Sequence, residues 1–155
     1  MKLKIISVGH KMPAWVETAC AEYIKRMPRE LTVEIIEIKP DKRSDGKNST
    51  AVQAAEAKRI LKVANQDYLI ACDERGSEKT TVELAAALQS WQTLGRDVSI
   101  VVGGADGLDP TLIKQANWRW SISKLTLPHA FVRVLLTEQL YRAHTVIQNH
   151  PYHKD

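Results

Sequence analysis

The chain has 155 residues, 44% of them apolar and 26% charged, the balance of an ordinary globular protein large enough to bury one core. Its 22 basic and 18 acidic residues leave a net charge of +4, compatible with a nucleic-acid partner but too small to point to one. No run approaches the roughly 18 apolar residues that a membrane crossing needs, and the opening MKLKIISVGHKMP is too short in its apolar part for a signal peptide, so a cytoplasmic protein is expected.

The segments alternate between strand-like and helix-like. KLKIISVG (2–9) is rich in β-formers. Pro13 opens a helix carrying Val16, Cys20, Tyr23 and Met27 at helical spacing, with Pro28 as its stop. TVEIIEI (32–38) alternates as a strand, and KPDKRSDGKNS has the composition of a mobile loop. A helix follows over about 50–64, with Thr50 and Gln53 spaced as a capping box.

DYLIACD (67–73) reads as a buried strand. Thr80 and Glu83 form a second capping box, opening TVELAAALQSWQ, which Gly95 closes. DVSIVV (97–102) is another apolar strand, Asp109-Pro110 caps a short helix, and WRWSIS (118–123) is the last strand. A long helix runs from about Pro128 to Gln148. The two cysteines, Cys20 and Cys72, lie far apart inside predicted elements and read as free thiols.

Strict alternation of β and α predicts an α/β fold, a mainly parallel sheet with helices on both faces. Ligands of such sheets sit at the carboxyl ends of strands. Three exits therefore stand out: CDERGSE after 72, GGADGLD after 102 and SKLTLPH after 123. Paired glycines after a buried strand permit close backbone approach to a ligand. The loop fits neither the P-loop nor the dinucleotide pattern. Leu125 and Leu127 on a connection suit either the flanks of a flat ring or a plug for the core.

IVVGGADGL, SISKLTLPHAFVRVLLTEQLYRAHTV and the terminal NHPYHK together resemble the small SPOUT-superfamily RNA methyltransferases, and more narrowly the RlmH family of ribosomal large-subunit pseudouridine N3-methyltransferases. The likeness runs from MKLKIISVGHKMPAWV to the last residues. It implies one domain over 1–155 with a C-terminal trefoil knot, an exception to the rule against threaded loops. It implies S-adenosylmethionine bound in that knot by Cys72, Asp73, Gly103, Gly104, Ser123, Lys124, Leu125, Thr126, Leu127 and Pro128, with no metal. It also implies a homodimer with sites at the interface, acting on 23S rRNA within the ribosome. Relatives carry an aliphatic residue where Cys72 stands, and DERGSEK replaces a loop with more proline, which bears on donor affinity.

On the long helix, Val132, Leu135, Leu136, Leu140, Ala143, Val146 and Ile147 span a wide apolar face, while Val134 and Tyr141 lie on a second side. Burial on two sides suits the chain's own sheet plus a partner. At 100° per residue, His129 and Arg133 lie about 40° apart, and Glu138 is about 180° from His129. Glu138 and Arg142 are an i,i+4 pair, either an ordinary surface ion pair or a catalytic element facing the mate's pocket.

Methyl transfer to N3 of a uracil-type ring requires alignment and loss of the N3 proton. His129, at a helix start whose dipole favours the neutral ring, is a candidate contact to donor or base, or a structural cap. Tyr152, His153 and Lys154 in the tail suit base stacking and phosphate contact, against the default of a disordered terminus. His144, His150 and His153 fit no strong zinc spacing. Competing readings are a noncatalytic ribosome-binding factor of the same fold and a small-molecule methyltransferase.

Overall fold

The computed structural model describes residues 1–9, 11–42 and 48–154. Its order is β1 (Lys2–Val8), α1 (Ala14–Ile24), β2 (Thr32–Ile38), α2 (Ser49–Ala64), β3 (Tyr68–Ser77), α3 (Thr81–Trp91), β4 (Val98–Val102), α4 (Pro110–Gln115), β5 (Trp118–Trp120) and α5 (His129–Ile147). A short 3₁₀ turn, Pro151–Lys154, follows. All five strands run parallel in the order β2-β1-β4-β3-β5, as the alternation predicted.

Side-chain alternation sends each strand's residues to two cores. On one face Leu3, Ile5, Ile70 and Ile100 meet Leu84 and Leu88 of α3 and Leu136 and Leu140 of α5. On the other, Ile6, Val8, Ala71 and Val101 meet Ala57 and Ile60 of α2 and Leu112 of α4. All five β4 residues are buried, so this strand is the sheet's centre. Its one polar residue, Ser99, donates to Asp67 at 2.7 Å, and Lys4 pairs with the same carboxylate at 2.9 Å.

Several boundaries move. α1 ends at Ile24, short of Pro28. β3 extends to Ser77 through a register shift after Cys72. Gly76 makes this possible, since a Cβ there would lie 2.6 Å from the Arg119 backbone. β5 is only three residues, and the stretch after Trp120 is irregular. Trp118 and Trp120, same-face neighbours, stack at 5.3 Å, and Trp91 tilts onto Trp118 at 5.6 Å.

The Thr80/Glu83 capping box and the Asp109-Pro110 start are both present. The expected Thr50/Gln53 box is not. α2 begins one residue earlier, capped by Asn48, whose side chain accepts from the Ala51 amide at 2.9 Å. Gln53 instead donates to the Asp106 carbonyl, tying α2 to the loop after β4. The expected loop over 39–49 falls partly on residues 43–47, outside the described residues.

The long helix spans 129–147, within the predicted 128–148, but its buried face differs from the apolar set predicted. Arg133, Thr137 and Thr145 are buried with Leu136, Leu140 and Ala143, while Val132, Leu135, Val146 and Ile147 are only partly so. Thr137 and Thr145 turn their hydroxyls back to main-chain carbonyls one turn earlier, which satisfies them within their own helix. The tail does not float free: Tyr152 packs edge-on against Tyr141 at 4.7 Å. Both cysteines are free thiols.

Asn48→Ala should cost about 1 kcal/mol of stability in thermal or urea unfolding, the usual cost of losing an N-cap. Thr50→Ala should leave the midpoint where it is.

Candidate functional site

The three strand exits named from the sequence converge on one cleft of about 500 Å³. Parallel strands end on the same side, and β3, β4 and β5 are adjacent through β4-β3-β5, so their loops meet above the sheet. Cys72, Asp73, Gly103, Gly104, Ser123, Leu125, Thr126, Leu127 and His129 line it. Two of the predicted donor-site residues do not. Lys124 is 86% exposed and lies 3.7 Å from Glu78, and Pro128 is the N-cap of α5. Leu125 does not plug the cleft, being 74% exposed, and the half-buried Leu127 lines it.

Each exit has its own shaping contact. Asp73 is held by Arg119, Nε to Oδ2 at 2.6 Å. Ser123 Oγ accepts from the Leu125 amide at 2.9 Å, and the Ser121 hydroxyl donates to the Ser123 carbonyl at 3.2 Å, which curls the 121–125 connection. Burial pushes the Cys72 thiol up to about 12, so it enters the wall as a neutral apolar group.

The glycines after β4 act differently from expectation. A Cβ on Gly103 would lie 2.8 Å from Gly107 and 3.0 Å from Leu108, so its absence lets the 103–108 loop fold back on itself. A Cβ on Gly104 would meet Val8 at 3.0 Å and the Glu56 carboxylate at 3.3 Å, towards β1 and α2. Both glycines thus tighten the loop against the protein, and the left-handed residue is Gly107, with φ +77°. Sequence reasoning missed the supports of this loop: Glu56, 95% buried behind Gly104, and the Gln53 and Ser49 contacts to Asp106. The polar residues on the inner face of α2 were their signal.

His129 is the first residue of α5, and no side chain caps that helix, so the capping role does not hold. Burial, and then the charge of Arg133 one turn on, lower its pKa and keep the imidazole neutral.

Glu138, Arg142 and Tyr152 form a second group, which does not line the cleft. Glu138 Oε1 accepts from Arg142 Nε at 2.7 Å and Tyr152 Oη at 3.1 Å, while Oε2 accepts from Gln139 at 2.8 Å. Arg142 also lies over the Tyr152 ring at 4.8 Å. Burial, a hydrogen bond with Tyr23 and the Glu138 charge raise the Tyr152 pKa, which keeps it a phenol at neutral pH. His153 adjoins this group in sequence, with Nδ1 buried and unpartnered. One chain therefore separates the predicted catalytic set into His129 at the cleft and the remainder on the later part of α5 and the terminal turn.

A family model described as "Predicted SPOUT methyltransferase" matches residues 1–153. The chain belongs to the SPOUT methyltransferase family. It is 64% identical over 155 residues, all of both chains, to the Ribosomal RNA large subunit methyltransferase H of Methylobacillus flagellatus. It is 56% identical, over 99% of both, to the protein of that name from Paraburkholderia xenovorans. A probable methylase family protein from Haemophilus influenzae shares the fold at TM-score 0.57 and 16% identity, covering 97% of this chain and 69% of that one. A tRNA (m1G37) methyltransferase from Aquifex aeolicus does so at TM-score 0.51 and 12% identity, covering 90% and 70%. Among the described residues, no helix of this SPOUT chain is long and apolar enough to cross a membrane.

Gly103→Ala should lower the unfolding midpoint and weaken binding in the cleft together, because the loop that shapes the cleft must open to admit the methyl. A melting curve alongside ligand titration reads both. In an NMR titration, the His129 ring should protonate below the ordinary histidine midpoint near 6.5. Stability from this group is then present above about pH 6.5 and declines as pH falls towards its folded value.

Proposed function

We propose that this chain uses S-adenosylmethionine to methylate N3 of a pseudouridine in 23S rRNA, acting as a homodimer on the assembled ribosome in the cytoplasm. The carrying observation is full-length identity of 64% to a protein named as a ribosomal RNA large subunit methyltransferase. The noncatalytic alternative lacks comparable support, since that relative is named as an enzyme.

The cleft suits the donor in size and chemistry. Its roughly 500 Å³ falls within the range of ordinary small-molecule sites, and its walls combine apolar side chains with loop backbone. Leu125, Leu127 and Cys72 would flank the adenine, and the loops at 103–104 and 123–126 would present main-chain groups to its edges and ribose. The donor supplies an electrophilic methyl on a sulfonium centre. The protein's task is then to align the acceptor and manage one proton.

A neutral imidazole at the cleft wall gives His129 an open nitrogen for the acceptor's N–H or for the donor. Tyr152, a phenol held by Glu138, is suited to donate and to stack, not to remove a proton. The separation of the Glu138–Arg142–Tyr152 group from its own chain's cleft supports the dimer: a second copy, related by a twofold axis, can bring that group to the first copy's cleft. The knot expected of the family would hold the 103–108 and 121–128 loops together around the donor.

Mass spectrometry of 23S rRNA from a strain lacking the gene should show one methylated pseudouridine missing, restored by the intact gene. Retention of that nucleoside in the deletion strain would defeat the proposal. His129→Ala should reduce methylation of ribosomes by about a hundredfold or more, the lower end for a proton-handling group, with the melting temperature little changed.

A further inference from the structure

A second cavity, about 450 Å³, lies between α1 and the end of β2, with Arg133 in its wall. Arg133 is 97% buried, yet its Nε and Nη2 have no hydrogen-bond partner among the described residues. Unsatisfied buried guanidinium donors are costly and rare, so an acceptor is missing. Ser7 Oγ, on the same sheet face by its pairing with Glu37 and Val102, is also buried and unpartnered.

The chemistry of the missing acceptor follows from which atoms are free. Charge is already answered, because Arg133 Nη1 lies 3.4 Å from Glu37. Nε–H and one N–H of Nη2 point the same way along one edge of the guanidinium, the edge that grips two adjacent acceptors at once. A phosphate is disfavoured, since Glu17 and Glu37 line the cavity against Lys25 and Arg133. A neutral planar group suits Met12, Val16, Ile24 and Ile35, which supply apolar walls. Among unpaired RNA bases, guanine (N7 and O6) and cytosine (N3 and O2) each present two neighbouring acceptors, whereas a uracil edge alternates acceptor and donor; the bicyclic guanine better fills a cavity of about 450 Å³. Neither free donor has accessible surface, so a side chain must move to admit a ligand; Met12 lies on this side, its Cε 3.8 Å and Arg133 Nη2 3.7 Å from where a Gly9 Cβ would stand. A flexible thioether can swing aside.

We infer that this cavity receives an unpaired guanine of the RNA substrate, read through N7 and O6 by Arg133. The inference rests on the proposal that the chain acts on rRNA, and it adds a sequence-reading site distinct from the cleft at the strand exits. Splayed, unpaired bases are the usual handle for such reading.

The test titrates the purified full-length protein with guanosine 5′-monophosphate, its 7-deaza analogue, cytidine and adenosine 5′-monophosphates and inorganic phosphate, followed by ligand-observed NMR. The guanosine nucleotide should bind about tenfold or more tightly than the other four, the scale of one bidentate contact. Arg133→Met should abolish that preference. Because removing a buried cation can unfold the chain, Ala21→Trp provides a second variant, filling the cavity from the exposed side of α1. It should abolish guanosine binding and leave S-adenosylmethionine affinity unchanged. Equal binding of guanosine and 7-deazaguanosine nucleotides, phosphate binding as tightly, no guanosine binding, or full binding by Ala21→Trp would each overturn the inference. Selective guanosine binding in a protein whose deletion leaves rRNA unchanged would instead sink only the rRNA reading.

Discussion

The arrangement depends on burial of β4 along its whole length, on both faces. A strand enclosed in this way has no freedom at its end, so the chain leaving Val102 must turn at once above the sheet. Gly103 permits that turn by letting Gly107 and Leu108 come back to within contact of its Cα. Because the neighbours of β4 run parallel to it, the loops from β3 and β5 are delivered to the same place. The cleft is a consequence of strand direction and one missing side chain.

Helix α5 then distributes the polar chemistry. Its first residue stands at the cleft, Arg133 lies in the interior one turn later, and Glu138 gathers three donors on another side. A helix with partly or fully buried polar groups on two opposed sides cannot be sorted into an inside and an outside. Its modest amphipathicity follows from this, and so does its fit to several neighbours at once: α1, α3 and the terminal turn.

Much of this was legible in the sequence because period and punctuation are local. β2 matches TVEIIEI to the residue, and Thr80/Glu83 and Asp109-Pro110 start helices where their side chains can reach free amides. The three exits were legible because strand ends and parallel topology follow from the alternation. What stayed hidden was long-range. Asn48 won the α2 cap over Thr50 because the chain enters one residue earlier, and Gln53 was drawn off to Asp106 across 53 residues. Arg133 falls at the edge of the apolar face on a helical wheel, about 20° from Leu140, and only the packing of α1 over it shows that it is buried. The direction in which Gly104 lacks a side chain likewise depends on Glu56, far away in the chain.

The three indoles near the sheet edge carry an optical consequence. Trp118 and Trp120 stack nearly parallel, 8° apart, with Trp91 inclined onto Trp118, and Trp120 also borders the cleft. Chromophores this close share their excited states, so the folded chain carries an exciton signature in the ultraviolet. A molecule settling beside Trp120 perturbs the whole trio, and the protein thereby reports its own occupancy without a label.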